Sequence, residues 1–197
     1  MPSVFSHAIA AVALGGVAVG GRSRMRIWVL GALCAVSPDL DAITSYLFRI
    51  RYGAMLGHRG ISHSILFAVL LATAVTVGVR RAWPESPRAA KLWCFFFAAT
   101  ASHGLLDAMT NGGLGVAFFA PFSNARYFLP WRPILVSPLS AQVFFGTRKG
   151  LRVMWSELGW IWIPASLVFL VGLALRQPTC WRRPLSGATS REPQDLS

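Results

Sequence analysis

Five apolar runs, separated by basic or proline-bearing breaks, set the pattern of the chain. They cover about 4–20, 26–38, 62–79, 90–108 and 158–175. A helix needs about 20 apolar residues to cross a hydrocarbon core, with a lower limit near 17. The third and fifth runs meet this limit. The fourth does too, apart from His103 and Asp107 near its end. The second is short unless Asp39 and Asp41 are drawn into it. Short runs with polar ends suit helices that border a cavity enclosed by protein. The expected fold is therefore all-α. It is an integral membrane bundle of about five transmembrane or half-spanning helices.

The breaks refine this picture. Residues 80–89 carry two prolines and several arginines, a clear interruption. The stretch from about 109 to 157 holds Gly112, Gly113, Pro121, Pro130, Pro133 and Pro138 among exposed-type aromatics such as Phe122, Tyr127 and Trp131. It reads as a long aromatic-rich loop, interfacial or re-entrant, covering one end of the bundle. Residues 1–176 form the expected membrane-embedded domain. Residues 177–197 are polar and read as a disordered tail.

Composition supports a bilayer. Of 197 residues, 54% are hydrophobic and only 13% charged, against about 25% charged in soluble domains. The net charge of +12 comes from arginines and lysines that flank the apolar runs, as headgroup anchors do. Membrane lipids are the expected contact, and no nucleic-acid partner is expected. The first run is followed by Arg22, Arg24 and Arg26 and preceded by no basic residue, the reverse of a secretory signal. It reads as a retained helix. Threading five helices puts these arginines, Arg80, Arg81, Arg88, Lys91 and the basic tail on one side. That bias places the N-terminus outside the cytoplasm, in a bacterial inner membrane. Cys34, Cys94 and Cys180 show neither pairing nor a zinc-knuckle spacing.

The same threading gathers the candidate chemistry at the non-cytoplasmic end, and the gathering itself holds for either insertion. The chain has four histidines: His7, His58, His63 and His103. Asp39, Asp41, Asp107 and Glu157 fall at the same end. His58 and His63 sit five apart across Gly60. His103 and Asp107 are four apart and share a helical face. Ionisable groups near hydrocarbon are costly and generally functional, and a divalent cation relieves repulsion among clustered carboxylates. All eight residues are candidate ligands for one or two divalent transition-metal ions. Mixed imidazole and carboxylate donors suit zinc, with manganese or iron as alternatives. Asp39 and Asp41 divide between ligand and general base in an order the sequence leaves open. Arg59 and Arg126 are candidate anion-binding groups, Arg59 also a catalytic one, and Arg126 equally a headgroup anchor. Thr110 and Asn111 are either supporting donors or a plain turn.

The blocks Ser37-Pro38-Asp39-Leu40-Asp41, His58-Arg59-Gly60-Ile61-Ser62-His63-Ser64 and His103-Gly104-Leu105-Leu106-Asp107, with the early His7, resemble the LexA-regulated, membrane-bound metal-dependent hydrolases, the YdjM-like family. The resemblance covers roughly residues 1–175, and the segment from Pro121 to Pro133 shares in it. It implies a membrane-embedded, metal-dependent hydrolase. By further analogy with zinc-dependent phospholipases C it implies phosphoester chemistry on a lipid or lipid-linked substrate. The competing expectations are a metal-ion transporter or sensor using the same residues, and a structural membrane protein whose cluster only hydrogen-bonds.

Overall fold

A computed structural model describes residues 1–20, 24–138 and 140–175. The tail at 177–197, Cys180, Arg22 and the tail arginines lie outside the described residues. The helices are α1 (Val4–Ala18), α2 (Arg24–Val36), α3 (Leu40–Leu47), α4 (Ile65–Ala82), α5 (Ala89–Ala108), α6 (Ala141–Gly146), α7 (Arg148–Glu157) and α8 (Ile163–Ala174). Short 3₁₀ turns at Ser37–Asp39 and Ile61–His63 and a π-helical turn at Leu158–Trp162 link or lead into them. No strand occurs among the described residues; only isolated bridges tie Thr110 to Ile134 and Val116 to Tyr127. The protein is an all-helical membrane bundle. Met25–Leu47, Ile65–Ala82 and Arg148–Ala174 are each long and apolar enough to cross a bilayer, and α1 is a shorter apolar helix.

Two boundaries differ from the sequence expectation. The second run does not stop at Val36. Pro38 has no N–H to offer the carbonyl of Cys34, and the Ser37 hydroxyl donates to that carbonyl instead, at 2.9 Å. The chain tightens through one 3₁₀ turn and continues as α3, so Asp39 and Asp41 lie within a continuous helical path. The fifth helix begins earlier than expected. Helices α6 and α7 occupy 141–157, which the sequence reading left in the long loop. In α7, Gly150, Val153 and Glu157 face inward while Arg148, Lys149 and Arg152 face out. That amphipathic spacing is helical but too basic to register as an apolar run. Pro164 then lacks the N–H for the carbonyl of Trp160, and the helix widens into its π turn just before it.

Helix α5 is the central element, packed against α1, α2 and α4, and α8 closes against α1. The apolar core lies toward one end, where Ala11, Val19, Ile27, Ala72, Val79, Leu92, Phe95, Phe96 and Ala99 are buried together. Small residues bring the backbones close. A Cβ at Gly15 would meet the Trp28 ring at 2.5 Å, and one at Gly172 would meet the Gly16 backbone at 2.9 Å. Such contacts suit helix association in lipid, where packing rather than hydrophobicity drives assembly. Because α5 is enclosed by protein, its last two turns can carry His103 and Asp107 without facing hydrocarbon.

Candidate metal centre

Four stretches of chain deliver donors to the other end of the bundle. The 3₁₀ turn after α2 supplies Asp39, the loop before α4 supplies His63, α5 supplies His103 and Asp107, and α1 supplies His7. All five are buried. His63 Nε2 and His103 Nε2 are 3.0 Å apart. Asp39 Oδ1 lies 3.3 Å from His103 Nε2 and 4.0 Å from His63 Nε2. Asp107 Oδ2 lies 3.4 Å from His63 Nε2 and 3.9 Å from His103 Nε2. Donors around a tetrahedral zinc ion stand about 3.4 Å apart, given bonds near 2.0–2.1 Å. His7 stacks on His103 with ring centroids 3.7 Å apart, and its Nε2 is 3.8 Å from Asp107 Oδ1.

Several of these donor atoms lack hydrogen-bond partners. Both carboxylate oxygens of Asp39 and of Asp107, and both ring nitrogens of His7, are buried without a hydrogen bond among the described residues. Buried polar atoms left this way are costly, and a cation between them would satisfy several at once. Three overlapping groups can hold a metal ion: His7–His103–Asp107, Asp39–His63–His103 and Asp41–His58–His63.

A second layer orients the donors. His103 Nδ1 donates to the carbonyl of Ala35 at 2.7 Å, which leaves Nε2 free to ligate. His63 Nδ1 faces Asp41 Oδ2 at 3.1 Å. Asp41 also pairs with His58 Nδ1 at 2.6 Å, accepts from the Arg59 N–H at 3.1 Å, and accepts from the Ser62 hydroxyl. Thus Asp41 ties His58, Arg59, Ser62 and His63 into one unit, while Asp39, two residues earlier, points at the shared centre. Burial works against a charge on His63, but hydrogen bonds and charge from Asp107 and Asp41 overcome it and lift its pKa to about 9.

The loop carrying His58 and His63 is tightly made. Arg59 adopts a left-handed φ of 62°, and a Cβ at Gly60 would meet the carbonyl oxygen of Met55 at 2.1 Å. The turn sends Arg59 inward, where it is almost fully buried. Its Nε pairs with Asp107 Oδ2 at 3.0 Å, and its other nitrogens donate to the Gly112 carbonyl and the Thr110 hydroxyl.

A family model described as the YdjM inner membrane protein matches residues 1–179. The chain belongs to the YdjM inner membrane protein family. It is similar to a protein of Escherichia coli (strain K12) described as inner membrane protein YbcI, with 34% identity over 186 residues, covering 93% of this chain and 99% of the relative. No solved structure matches. The resemblance carried by the histidine blocks is thus a family relationship across the whole bundle, and this YdjM-family chain is an inner membrane protein.

Of the residues singled out in this YdjM-family sequence, His7, Asp39, His63, His103 and Asp107 converge. Asp41 and His58 form the adjoining group. Glu157 goes elsewhere: its carboxylate accepts from the Ser3 N–H and from the Ser3 and Ser6 hydroxyls at 2.5–2.7 Å, and Trp162 Nε1 donates to Ser6. It fastens α7 to α1 below His7. Arg126 donates to the carbonyls of His58 and Ala54 at 3.0 and 2.9 Å, so it braces the histidine loop. Thr110 joins Arg59 to the end of α5, and Asn111 Oδ1 accepts from Val136 N in the long loop. Ser3, Ser6 and Ser62 went unmarked in the sequence reading. Ser3, at the N-cap of α1, is four residues from His7, and Ser62 adjoins His63; that adjacency is the available signal.

Proposed function

We propose that this protein is a membrane-embedded metal-dependent hydrolase acting on a phosphoester of a lipid or lipid-linked substrate. Asp39, His63 and His103 would hold one divalent transition-metal ion, zinc being the best fit to two imidazoles and a carboxylate. A bound ion supplies Lewis acidity, polarising a phosphoryl oxygen and making water a stronger acid. The chain supplies the rest. Asp107 stands beside these three, its Oδ2 paired with Arg59, and its carboxylate would orient an attacking water by accepting its hydrogen bond while the fourth position stays open to that water. Arg59 fixes Asp107 and keeps positive charge beneath the site, and Asp41 holds the His63 ring in its ligating orientation. His7, stacked on His103 and facing Asp107 Oδ1, is placed to join a second ion.

The observation that carries this reading is the convergence of buried Asp39 and Asp107 oxygens, those of Asp39 without a hydrogen-bond partner, on two Nε2 atoms at 3.3–4.0 Å. Location favours an enzyme over a transporter. Among the described residues the buried His, Asp, Glu and Arg side chains (His7, Asp39, His58, Arg59, His63, His103, Asp107 and Glu157) all lie at the site end of the bundle, whereas a transport path needs polar groups at the midplane. The test is metal analysis of the detergent-purified full chain, followed by a screen of phosphoester and lipid substrates. Near-stoichiometric zinc, manganese or iron with metal-dependent hydrolysis is expected. A protein that neither carries nor binds a transition metal overturns the proposal. The bias of the flanking arginines supports a site end outside the cytoplasm. A cysteine at Asn124, in a chain without Cys94 and Cys180, should be labelled from the periplasm; labelling only after the inner membrane is breached reverses the orientation.

A further inference from the structure

Beside the metal centre a groove of about 390 Å³ opens between the start of α1, α3, the end of the long loop and α6. Its walls include Val4, Phe5, Ile43, Phe144 and Phe145; Met1, Ser3 and Ser137 also line it, and Asp39 is the one charged side chain. Asp39 is buried, and neither of its oxygens has a hydrogen-bond partner. The groove therefore runs from hydrocarbon-like walls to a carboxylate whose Oδ1 belongs to the donor cluster. Phe5 and Phe145 meet edge to face across it at 6.5 Å. Ile43 lies within the membrane-spanning helix Met25–Leu47. With Leu40 and Leu47 it forms an exposed apolar stripe at three- and four-residue spacing. That stripe puts the mouth at the level of the lipid.

We infer that this groove is the substrate channel, and that its occupant is the hydrocarbon chain of a phosphate ester whose phosphate reaches the metal centre at Asp39. The inference rests on the hydrolase reading above and narrows it to the lipid. A small hydrophilic ester would have to shed its water along largely apolar walls, where the hydroxyls of Ser3 and Ser137 already donate to Glu157 and to the Pro138 carbonyl. A hydrocarbon chain loses nothing by the same passage and arrives sideways from the bilayer. Its anionic head then meets the cation, with the Arg59 guanidinium behind Asp107. The groove thus selects for an attached chain, and the metal centre selects for the phosphate.

Alkylphosphonates, which keep the phosphorus–carbon bond intact, serve as probes. The full chain in nonionic detergent is loaded with Co(II), and its visible spectrum is followed during titration with methyl- through decylphosphonate. Affinity should rise roughly fourfold per methylene while the chain is entering the groove, then level off. Ile43→Asn and Phe144→Ala should flatten that rise and leave cobalt stoichiometry and methylphosphonate affinity unchanged. Ile43 is exposed, so its variant keeps the test available if Phe144→Ala does not fold. Cobalt bound normally with equal affinity for methyl- and decylphosphonate overturns the groove assignment and leaves the metal reading standing. A chain-length series that stays steep in both variants also overturns it. Failure of the wild type to take up cobalt removes the metal reading, and this inference with it.

Discussion

At one end of the bundle Phe95, Phe96, Leu92 and Ile27 pack among alanines and glycines; at the other, His7, Asp39, His63, His103 and Asp107 face one another, with the His7 ring and the Asp39 carboxylate lacking hydrogen bonds. The same central helix, α5, serves both. Its first half is held by shape alone, and its last two turns by charge and hydrogen bonds. The apolar end tolerates change that preserves volume, because any hydrocarbon contact resembles another. The polar end has no such latitude: each donor has a distinct partner, and removing one leaves others buried and unmatched.

The largest expected effect lies at the polar end. His63→Ala and His103→Ala should each weaken metal binding by more than roughly a hundredfold and abolish hydrolysis, because a ligand costs more than the 10–100-fold typical of its supporting groups. Membrane insertion should persist. Metal content and activity equal to wild type in either variant would break the contrast. Asp41→Asn should cost about 10–100-fold in metal affinity, since it disturbs the orientation of His63 without removing a proposed ligand. An unchanged affinity would mean that Asp41 supports only the loop. At the apolar end, Gly15→Val should drive into the Trp28 ring and lower stability by about 1–3 kcal/mol, measured by unfolding in detergent, while metal affinity in the folded fraction stays at the wild-type level. Coupled loss of both would erase the division between the ends.

The smallest effect concerns pH. In cation-free protein the pKa of His63 is raised from 6.5 to about 9. The protonated ring's contribution to stability is full below pH 6.5 and disappears as pH rises through about 9. Thermal unfolding of the chelator-treated protein should therefore fall across that interval. Metal-loaded protein should lack this slope, because the cation has displaced the proton. Parallel pH profiles for the two forms would argue against a shared position.

The sequence makes the apolar runs and the common end of the ligands legible, because both follow from helix length and count. His103-x-x-x-Asp107 is legible as one helical face. The division of labour between Asp39 and Asp41 is not. It depends on the 3₁₀ turn that Pro38 imposes and on which way the His58–His63 loop folds back. Glu157 reads as a site residue when the fifth helix is started at Leu158. Once α7 is helical from Arg148, the carboxylate is a full turn or more inside a longer helix and meets Ser3 and Ser6. Arg59 and Arg126 read as anion receptors because their chemistry allows it. Their actual direction is set by a left-handed residue and by backbone carbonyls, which leave no periodic trace.

The donors are spread from His7 to Asp107, and the last pair to be synthesised sits at the far end of α5. A growing polypeptide that has inserted only α1 to α4 has no complete pocket. On the proposed metal reading, ion capture would wait until α5 has entered the membrane, and a filled centre would report that this portion of biosynthesis is complete. A truncation before His103 would leave Asp39 and His63 with no imidazole from α5, and quality-control proteases would meet a chain already in the bilayer but never locked.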